Sequence, residues 1–177
     1  MEKTLTERAY KVGDDVKALE IMPNRFKSSS GLSDDELARA AFADLDPEFA
    51  GKANKGEYGI VVAGENFGGG GKTVEGPIFA LRGAGIKLVI ADSFARYFLR
   101  NAINNGFPIL VCKGISAEVS SNDRLCADLD TGLIQNLTTG GQMQAQPLSR
   151  IALDILSAGG LVDYARQKLA RSASGPD

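Results

Sequence analysis

The segment Tyr58-Gly-Ile-Val-Val-Ala-Gly-Glu-Asn-Phe-Gly-Gly-Gly-Gly-Lys-Thr73 joins a short apolar run to four consecutive glycines. Its first six residues are rich in β-branched side chains, which is typical of a buried strand. The glycines mark a loop, and Pro77 stands where it can begin a helix that continues through Leu81. Strand, glycine-rich loop and helix in this order predict the first part of a β-α-β unit.

The same alternation continues toward the C-terminus. Lys87–Ala91 is predicted to be a second buried strand, and Ser93 is predicted to cap a helix with apolar residues at helical spacing. This helix should stop at Asn104-Asn105-Gly106, because Asn and Gly favour the left-handed conformation that ends helices. Pro108–Val111 then reads as a third buried strand. Together these elements predict a β-α-β-α-β core.

The N-terminal segment is predicted to add one strand and one helix to this core. Arg8–Val12 is a plausible strand, and the polar residues 13–31 form a loop. Ser33 and Glu36 have the spacing of a capping box, so a helix should begin at Ser33 and end before Asp46-Pro47.

The C-terminal segment is predicted to contain a hairpin and a pair of helices. Arg124–Leu129 and Leu133–Leu137 are short strand-like runs separated by a turn sequence, which predicts a β-hairpin. Ser149 is expected to cap a helical pair that is interrupted at Gly159-Gly160.

Composition restricts the classes of function. A chain of 177 residues with 44% hydrophobic content suits one globular domain, which we expect at residues 1–171, with a disordered tail at 172–177. A net charge of -2 and scattered basic residues argue against nucleic-acid or anionic-membrane binding. No apolar stretch approaches a membrane span and the N-terminus lacks the apolar core of a signal peptide, so a cytoplasmic protein is expected.

The absence of histidine is the most restrictive feature of the composition. It removes the usual general base near neutral pH and the commonest metal ligand. The chain has two cysteines, Cys112 and Cys126, and in a cytoplasmic protein free thiols are their expected state. Two cysteines are too few for a zinc site or an iron–sulfur cluster of the usual kind. A cofactor of either kind must therefore come from a partner.

The glycine loop on its own residues is open to more than one interpretation. Glycines let backbone N–H groups converge on an anion, and Lys72 adds charge, which suits a nucleotide phosphate site with Asp92 as a magnesium ligand. The P-loop pattern, however, has glycine where this chain has Asn66, and Gly76-Pro77 interrupts the helix that should follow. A purely structural crossover is another alternative. Lys72 and Thr73 nevertheless follow a strand whose carboxyl end is where open α/β sheets bind ligands.

Several segments resemble the small subunits of 3-isopropylmalate dehydratase, and the resemblance covers nearly the whole chain. The run Ser93–Gly106 is specific to that family. The matching segments are Val12-Gly13-Asp14, Met22-Pro23-Asn24-Arg25-Phe26, Gly64-Glu-Asn-Phe-Gly68, Ile86–Gly106 and Leu153–Tyr164. A Gly-Lys-Ser form of the glycine loop is associated with the dimethylmalate dehydratase branch, which this chain resembles through Gly71-Lys72-Thr73.

This resemblance implies both a fold and a reaction. The fold is an aconitase-type swivel domain, a three-layer α/β structure with a central, mostly parallel sheet and an added β-hairpin. The function is that of the small subunit of a hydro-lyase, which dehydrates or isomerises a branched 2-hydroxy dicarboxylate such as 2-isopropylmalate or 2,3-dimethylmalate. The expected partner is a large subunit that carries a [4Fe-4S] cluster, while this chain holds no cofactor. A homo-oligomer of the isolated chain is compatible with this reading.

The resemblance also assigns roles to the glycine loop. The family's loop reads Gly-Cys-Gly-Ser-Ser-Arg-Glu-His, in which a serine is the base and the arginine binds a substrate carboxylate. Thr73 falls at the serine position with Lys72 just before it, whereas Val74 replaces the arginine and Gly76 the histidine. A hydroxyl is a poor base unless a cation and N–H donors favour the alkoxide. Lys72 can supply the cation, and the expected N–H donors are Gly69, Gly70 and Gly71.

A second candidate region precedes the first predicted helix. Asn24 and Arg25 fall in the family's substrate-discriminating loop, where an arginine can bind a carboxylate through two hydrogen bonds. The alternative for Arg25 is a solvated loop charge. Arg96 and Arg100 are expected to hold the domain or the partner interface together. The remaining functional alternatives are a degenerate or non-catalytic swivel subunit, in which Thr73 is only a helix cap, and a P-loop-like phosphate binder.

Overall fold

The computed structural model describes residues 3–26, 33–70 and 75–173. Seven strands form one mixed sheet in the order β4-β3-β2-β1-β5-β6-β7. The strands are β1 (Thr4–Lys11), β2 (Ile60–Ala63), β3 (Leu88–Ala91), β4 (Ile109–Val111), β5 (Arg124–Asp128), β6 (Leu133–Asn136) and β7 (Gln142–Gln144). The helices are α1 (Ala18–Ile21), α2 (Asp34–Ala40), α3 (Phe49–Asn54), α4 (Gly76–Gly83), α5 (Arg96–Asn104), α6 (Ile115–Glu118), α7 (Arg150–Ala158) and α8 (Leu161–Ala173).

The predicted β-α-β-α-β core is confirmed as β2-α4-β3-α5-β4. β2 pairs in parallel with β3, β3 pairs in parallel with β4, and β1 adds a fourth parallel strand beside β2. β5 lies antiparallel on the other side of β1, and the predicted hairpin is β5–β6. The sheet is therefore parallel in one half and antiparallel in the other, in agreement with the fold expected from the family resemblance.

Burial on both faces explains why the central strands are continuously apolar. In β2, Val61 and Ala63 join a core cluster that includes residues of α1 to α5, whereas Ile60 and Val62 join a second cluster on the other face. The second cluster is completed by Ile115 of α6 and by apolar residues of the antiparallel strands. All four side chains of β2 are buried, as expected for a parallel strand covered on both sides.

Two of the predicted helix caps are confirmed and one is wrong. The Ser33 side chain accepts from the Glu36 N–H in a capping box, and the Ser149 side chain accepts from the Ala152 N–H. Ser93 does not cap α5, whose N-cap is Ala95 and has no side-chain cap. The Ser93 hydroxyl instead accepts a hydrogen bond from the Asn66 backbone, because β3 ends beside the loop that follows β2.

Other differences concern the ends of the chain and its short elements. β1 begins at Thr4, four residues before the predicted strand. The helices α1, α3 and α6 and the strand β7 were not predicted, since each has three to six residues and too little periodicity to detect. α8 continues through Ala173, past the predicted domain boundary, and residues 174–177 lie outside the described residues. Within the part of the chain that the structure describes, no helix is long and apolar enough to cross a membrane.

Candidate active site

The four parallel strands end at one edge of the sheet, and the segments that follow them meet there. Residues 12–17 follow β1, residues 64–70 follow β2, and residues 92–95 follow β3. Ligands of open α/β sheets bind outside the carboxyl ends of the strands. This edge is therefore where the side chains and backbone groups of a site are expected.

The loop after β2 is held on one side by the segment after β1. The Asp14 carboxylate accepts a hydrogen bond from the Glu65 N–H at 2.8 Å, and the Gly68 N–H donates to the Val16 carbonyl at 2.8 Å. The Ala18 N–H donates to the Gly69 carbonyl, also at 2.8 Å. These contacts give a structural reason for the Val12-Gly13-Asp14 motif, because Asp14 orders the backbone just after β2.

On its other side the same loop is held by the segment after β3. The Asn66 N–H donates to the Ser93 hydroxyl at 2.9 Å, and the Phe67 N–H donates to the Ser93 carbonyl at 3.0 Å. Phe67 is fully buried and packs edge-to-face on Phe94 and Phe98, with ring centroids 6.1 and 5.1 Å away. The loop thus lies between two neighbouring segments and is anchored by one aromatic side chain.

Two glycines of the Gly64-Glu-Asn-Phe-Gly68 motif are required by close contacts. A Cβ on Gly64 would lie 1.7 Å from the Asp14 carboxylate oxygen. Gly68 has φ +80°, and its Cβ would lie 2.4 Å from the Phe98 ring. Asn66 also adopts positive φ, +55°, and its amide donates to the Asp15 carboxylate at 2.9 Å. The motif is therefore specified by sterics and hydrogen bonds up to the point where the glycine run begins.

The structure describes only some of the loop residues that were predicted to form the site. Gly69 is buried and its N–H faces the Val16 carbonyl in the parallel bridge with Lys17, whereas Gly70 is exposed and its N–H has no acceptor among the described residues. The Gly70 N–H can therefore bind an anion at this edge. Three predicted residues lie outside the described residues, and the structure does not test their roles. They are Gly71, Lys72 and Thr73.

The predicted Arg25 and Asn24 lie in a short 3-10 turn, Asn24–Phe26, and both are exposed. The Arg25 guanidinium forms an ion pair with the Asp44 carboxylate and lies 4.8 Å from the centroid of the Phe26 ring. Among the described contacts, none joins Asn24 or Arg25 to the glycine loop. The structure thus gives Arg25 a partner within its own chain, and its role toward a substrate stays a prediction.

Lys17 is a neighbour of the glycine loop that the sequence patterns did not reveal. Lys17 forms an isolated parallel bridge with Gly69, and a Cβ on Gly70 would lie 3.4 Å from the Lys17 Cγ. Lys17 follows β1 and the glycines follow β2, so only the parallel pairing of these strands brings the residues together. No signal in the sequence around Lys17 indicates this contact.

Asp92, the candidate magnesium ligand of the nucleotide interpretation, has a different role. One carboxylate oxygen accepts from the Gly114 N–H and the other from the Ser116 hydroxyl, so Asp92 holds the start of α6. Burial, together with the charge of Asp92, raises the pKa of the nearby Cys112 thiol. Cys112 is buried, and a buried thiol of this kind is expected to be unreactive.

The described residues do not fit an iron–sulfur cluster. Cys112 lies buried after β4 and Cys126 lies within β5, and both are free thiols. In the described ranges there is no group of three or more histidine, cysteine, aspartate or glutamate side chains that could hold a metal ion. A cluster therefore has no ligand set among these residues.

Residues 16–113, more than half of the chain, match the family model of the aconitase C-terminal domain. The chain is 42% identical over 172 residues to the isopropylmalate/citramalate isomerase small subunit of Methanocaldococcus jannaschii, covering 97% of this chain and 99% of the relative. It is 42% identical over 171 residues to the 3-isopropylmalate dehydratase small subunit of Aquifex aeolicus, covering 96% and 99%.

A solved structure supports the same relationship. The crystal structure of 3-isopropylmalate dehydratase from Methanocaldococcus jannaschii aligns with a TM-score of 0.85 and 36% identity, covering 97% of this chain and 99% of that chain. The glycine loop at the carboxyl edge, the swivel-type sheet and these similarities all indicate the same family. The chain belongs to the aconitase C-terminal domain family, among the small subunits of 3-isopropylmalate dehydratase, and is a subunit of a hydro-lyase.

Proposed function

We propose that this chain, in complex with a large subunit, dehydrates and isomerises a branched 2-hydroxy dicarboxylate such as 2-isopropylmalate or 2,3-dimethylmalate. The observation that supports this best is the loop after β2, which is held at the carboxyl edge and exposes Gly70 with an N–H group that has no acceptor among the described residues. The relatives named for isopropylmalate and citramalate support the substrate class. A cytoplasmic location, expected from the sequence, belongs to the same proposal.

The reaction requires a proton to leave one carbon and hydroxide to leave its neighbour. We assign proton removal to the Thr73 hydroxyl, which follows Lys72 directly in the sequence. The ammonium group of Lys72 favours the alkoxide form, because a positive charge lowers the free energy of a nearby anion. A [4Fe-4S] cluster on the large subunit would supply the Lewis acid for the departing hydroxide.

The glycines contribute by binding the negative charge of the substrate. Gly70 is exposed, and its N–H group has no acceptor in the described part of the chain. Successive backbone N–H groups in such a loop form a concavity that suits an oxyanion. Lys72 and Thr73 follow Gly70 by two and three residues in the sequence.

Reconstitution tests the proposal. The chain is co-purified with its large subunit from the native source, and the complex is assayed for iron, for labile sulfide and for formation of the unsaturated acid from 2-isopropylmalate and from 2,3-dimethylmalate. We expect turnover of one of these substrates by the complex. Each subunit assayed alone is the control and should be inactive.

A complex that contains the cluster and yet turns over no branched 2-hydroxy dicarboxylate would contradict the proposal. That result would favour a non-catalytic swivel subunit. The departures at Val74 and Gly76 from the loop of the family give this second candidate its support.

A further inference from the structure

We infer that Lys17 binds a carboxylate of the substrate, together with the N–H group of Gly70; this inference rests on the function proposed above. A dicarboxylate brings two negative charges to the site. The loop from Gly64 to Gly76 carries one cation, Lys72, and two carboxylates, so by itself it offers one positive charge for two substrate carboxylates. Among the described residues, Lys17 is a cation whose side chain the fold places on this loop.

The backbone of Lys17 is held firmly against the glycine loop. The Gly68 N–H donates to the Val16 carbonyl and the Ala18 N–H donates to the Gly69 carbonyl, both at 2.8 Å. These two bonds flank Lys17 on either side, and Lys17 also forms a parallel bridge with Gly69. The position of Lys17 beside the loop is therefore set by main-chain hydrogen bonds and not by its own side chain.

The Lys17 side chain passes along Gly70. An added Cβ on Gly70 would lie 3.4 Å from the Lys17 Cγ and 3.5 Å from its Cδ, so the methylene stem covers the Cα of this glycine. The residue is exposed, and within the described residues its ammonium group forms no ion pair. A methylene stem packed on the loop with a solvated charged end is the usual way in which lysine presents a cation.

The neighbouring carboxylates each accept a hydrogen bond from a backbone or amide donor. The Glu20 carboxylate accepts from the Lys17 N–H at 2.7 Å, and the Asp14 carboxylate accepts from the Glu65 N–H. The Asp15 carboxylate accepts from the Asn66 amide. None of the three forms an ion pair with the Lys17 ammonium group among the described residues.

Other cations in the described residues are less suited to bind a substrate carboxylate at the glycine loop. Arg25 is paired with Asp44. Arg96 and Arg100 are exposed on α5, and Lys113 is exposed after β4. No described contact joins any of these four side chains to Gly69 or Gly70. Of the cations in the described residues, Lys17 is the one whose stem lies on the loop that is proposed to bind the substrate.

The variant Lys17→Met tests the charge while it keeps the packing. Methionine retains an unbranched stem over Gly70 and removes the ammonium group. In the reconstituted complex we expect KM for the turned-over substrate to rise about tenfold to a hundredfold, which is the value of a hydrogen bond to a charged group, with kcat nearly unchanged. Lys17→Arg should restore most of the affinity.

Lys55→Met is the matched control. Lys55 is exposed and follows α3 just before β2, so it lies at the amino edge of the sheet, away from the glycine loop. This variant should leave KM within about twofold of wild type, since exposed charges far from a ligand are strongly screened. A general effect of losing one lysine charge would appear in both variants.

Substrate analogues that lack one carboxylate test whether Lys17 contacts a carboxylate or only supports the structure of the loop. Each of the two monoamides of the substrate removes one carboxylate, and their inhibition constants are measured against wild type and Lys17→Met. For the monoamide that lacks the contacted carboxylate, we expect the two proteins to bind equally well. The inference is overturned if wild type turns over the substrate and Lys17→Met has an unchanged KM, or if both monoamides lose as much affinity on mutation as the substrate does. A wild-type complex without turnover overturns the proposed function and, with it, this inference.

Discussion

Thr73 is the residue on which the proposed chemistry depends. Thr73→Val keeps the shape of the side chain and removes its hydroxyl. We expect turnover by the reconstituted complex to fall by about a hundredfold or more, while folding and binding of the large subunit are retained. Thr73→Ser is the control and should retain or raise turnover. Steady-state kinetics give the result, and near-normal turnover by Thr73→Val would mean that the base lies elsewhere.

Lys72 is expected to act on binding and on chemistry together. Lys72→Ala removes a charge that is proposed to favour both the substrate carboxylate and the Thr73 alkoxide. KM should rise and kcat should fall, each by about tenfold or more. This double effect differs from the change in KM alone that we expect for Lys17→Met, so steady-state kinetics of the two variants distinguish their roles. A Lys72→Ala complex with unchanged kcat would remove Lys72 from the proposed chemistry.

Gly68 allows a residue-scale test of how tightly the loop after β2 is specified. Gly68 and Gly140 have nearly the same φ, +80° and +82°. A Cβ added to Gly68 would lie 2.4 Å from the Phe98 ring, whereas a Cβ added to Gly140 would have no atom within 4 Å. Gly140→Ala should therefore cost about 1–2 kcal/mol of unfolding free energy, the penalty of the left-handed conformation alone. Gly68→Ala should cost about 1–3 kcal/mol more. Urea denaturation measures both, and equal losses would contradict the contact with Phe98.

At the scale of elements, the β5–β6 hairpin carries a pH-dependent contribution to stability. The Thr131 N–H and hydroxyl donate to the Asp128 carboxylate at 2.7 and 2.8 Å and lower its pKa below the ordinary value of 3.8. A lowered folded-state pKa stabilises the protein above the ordinary value and loses this contribution as the pH falls through the folded value. Asp128→Asn should therefore destabilise the protein at neutral pH.

The destabilisation caused by Asp128→Asn should disappear at acid pH. The difference in unfolding free energy between wild type and Asp128→Asn should shrink as the pH falls below about 3.8. Urea denaturation at a series of pH values measures this difference. Thr131→Val, which removes only the hydroxyl donor, should show a smaller effect of the same sign. A difference that does not change with pH would exclude the carboxylate charge as its cause.

At the scale of the whole molecule, the chain is expected to bind neither ATP nor a metal ion tightly on its own. Asn66 stands where a P-loop has glycine, and its amide is bound to Asp15. Asp92, which would have to bind magnesium, is engaged with α6. Equilibrium dialysis of the isolated chain with ATP and magnesium should detect no binding at micromolar concentration. Micromolar, magnesium-dependent binding would contradict this prediction.

The helix ends show which features can be predicted from residues that are close in the sequence. The capping box of Ser33 with Glu36 and the termination of α5 at Asn104 before Gly106 depend on neighbours within a few residues, and both were predicted. Ser93 has the same chemistry as Ser33, yet its hydroxyl binds the Asn66 backbone of another segment. A sequence pattern cannot distinguish a serine that caps its own helix from one that bonds to a loop brought next to it by the sheet.

The sequence by itself determined the alternation of buried strands and helices, because β-branched runs, glycine, asparagine and proline act within a few residues. It also determined the family, and with it the expectation of a hydroxyl base at Thr73. Only the tertiary structure decided that Lys17 lies on Gly70 and that Arg25 is paired with Asp44. The physical reason is that these contacts join segments distant in the chain, and they exist only once parallel strand pairing and helix packing have set the positions of the loops.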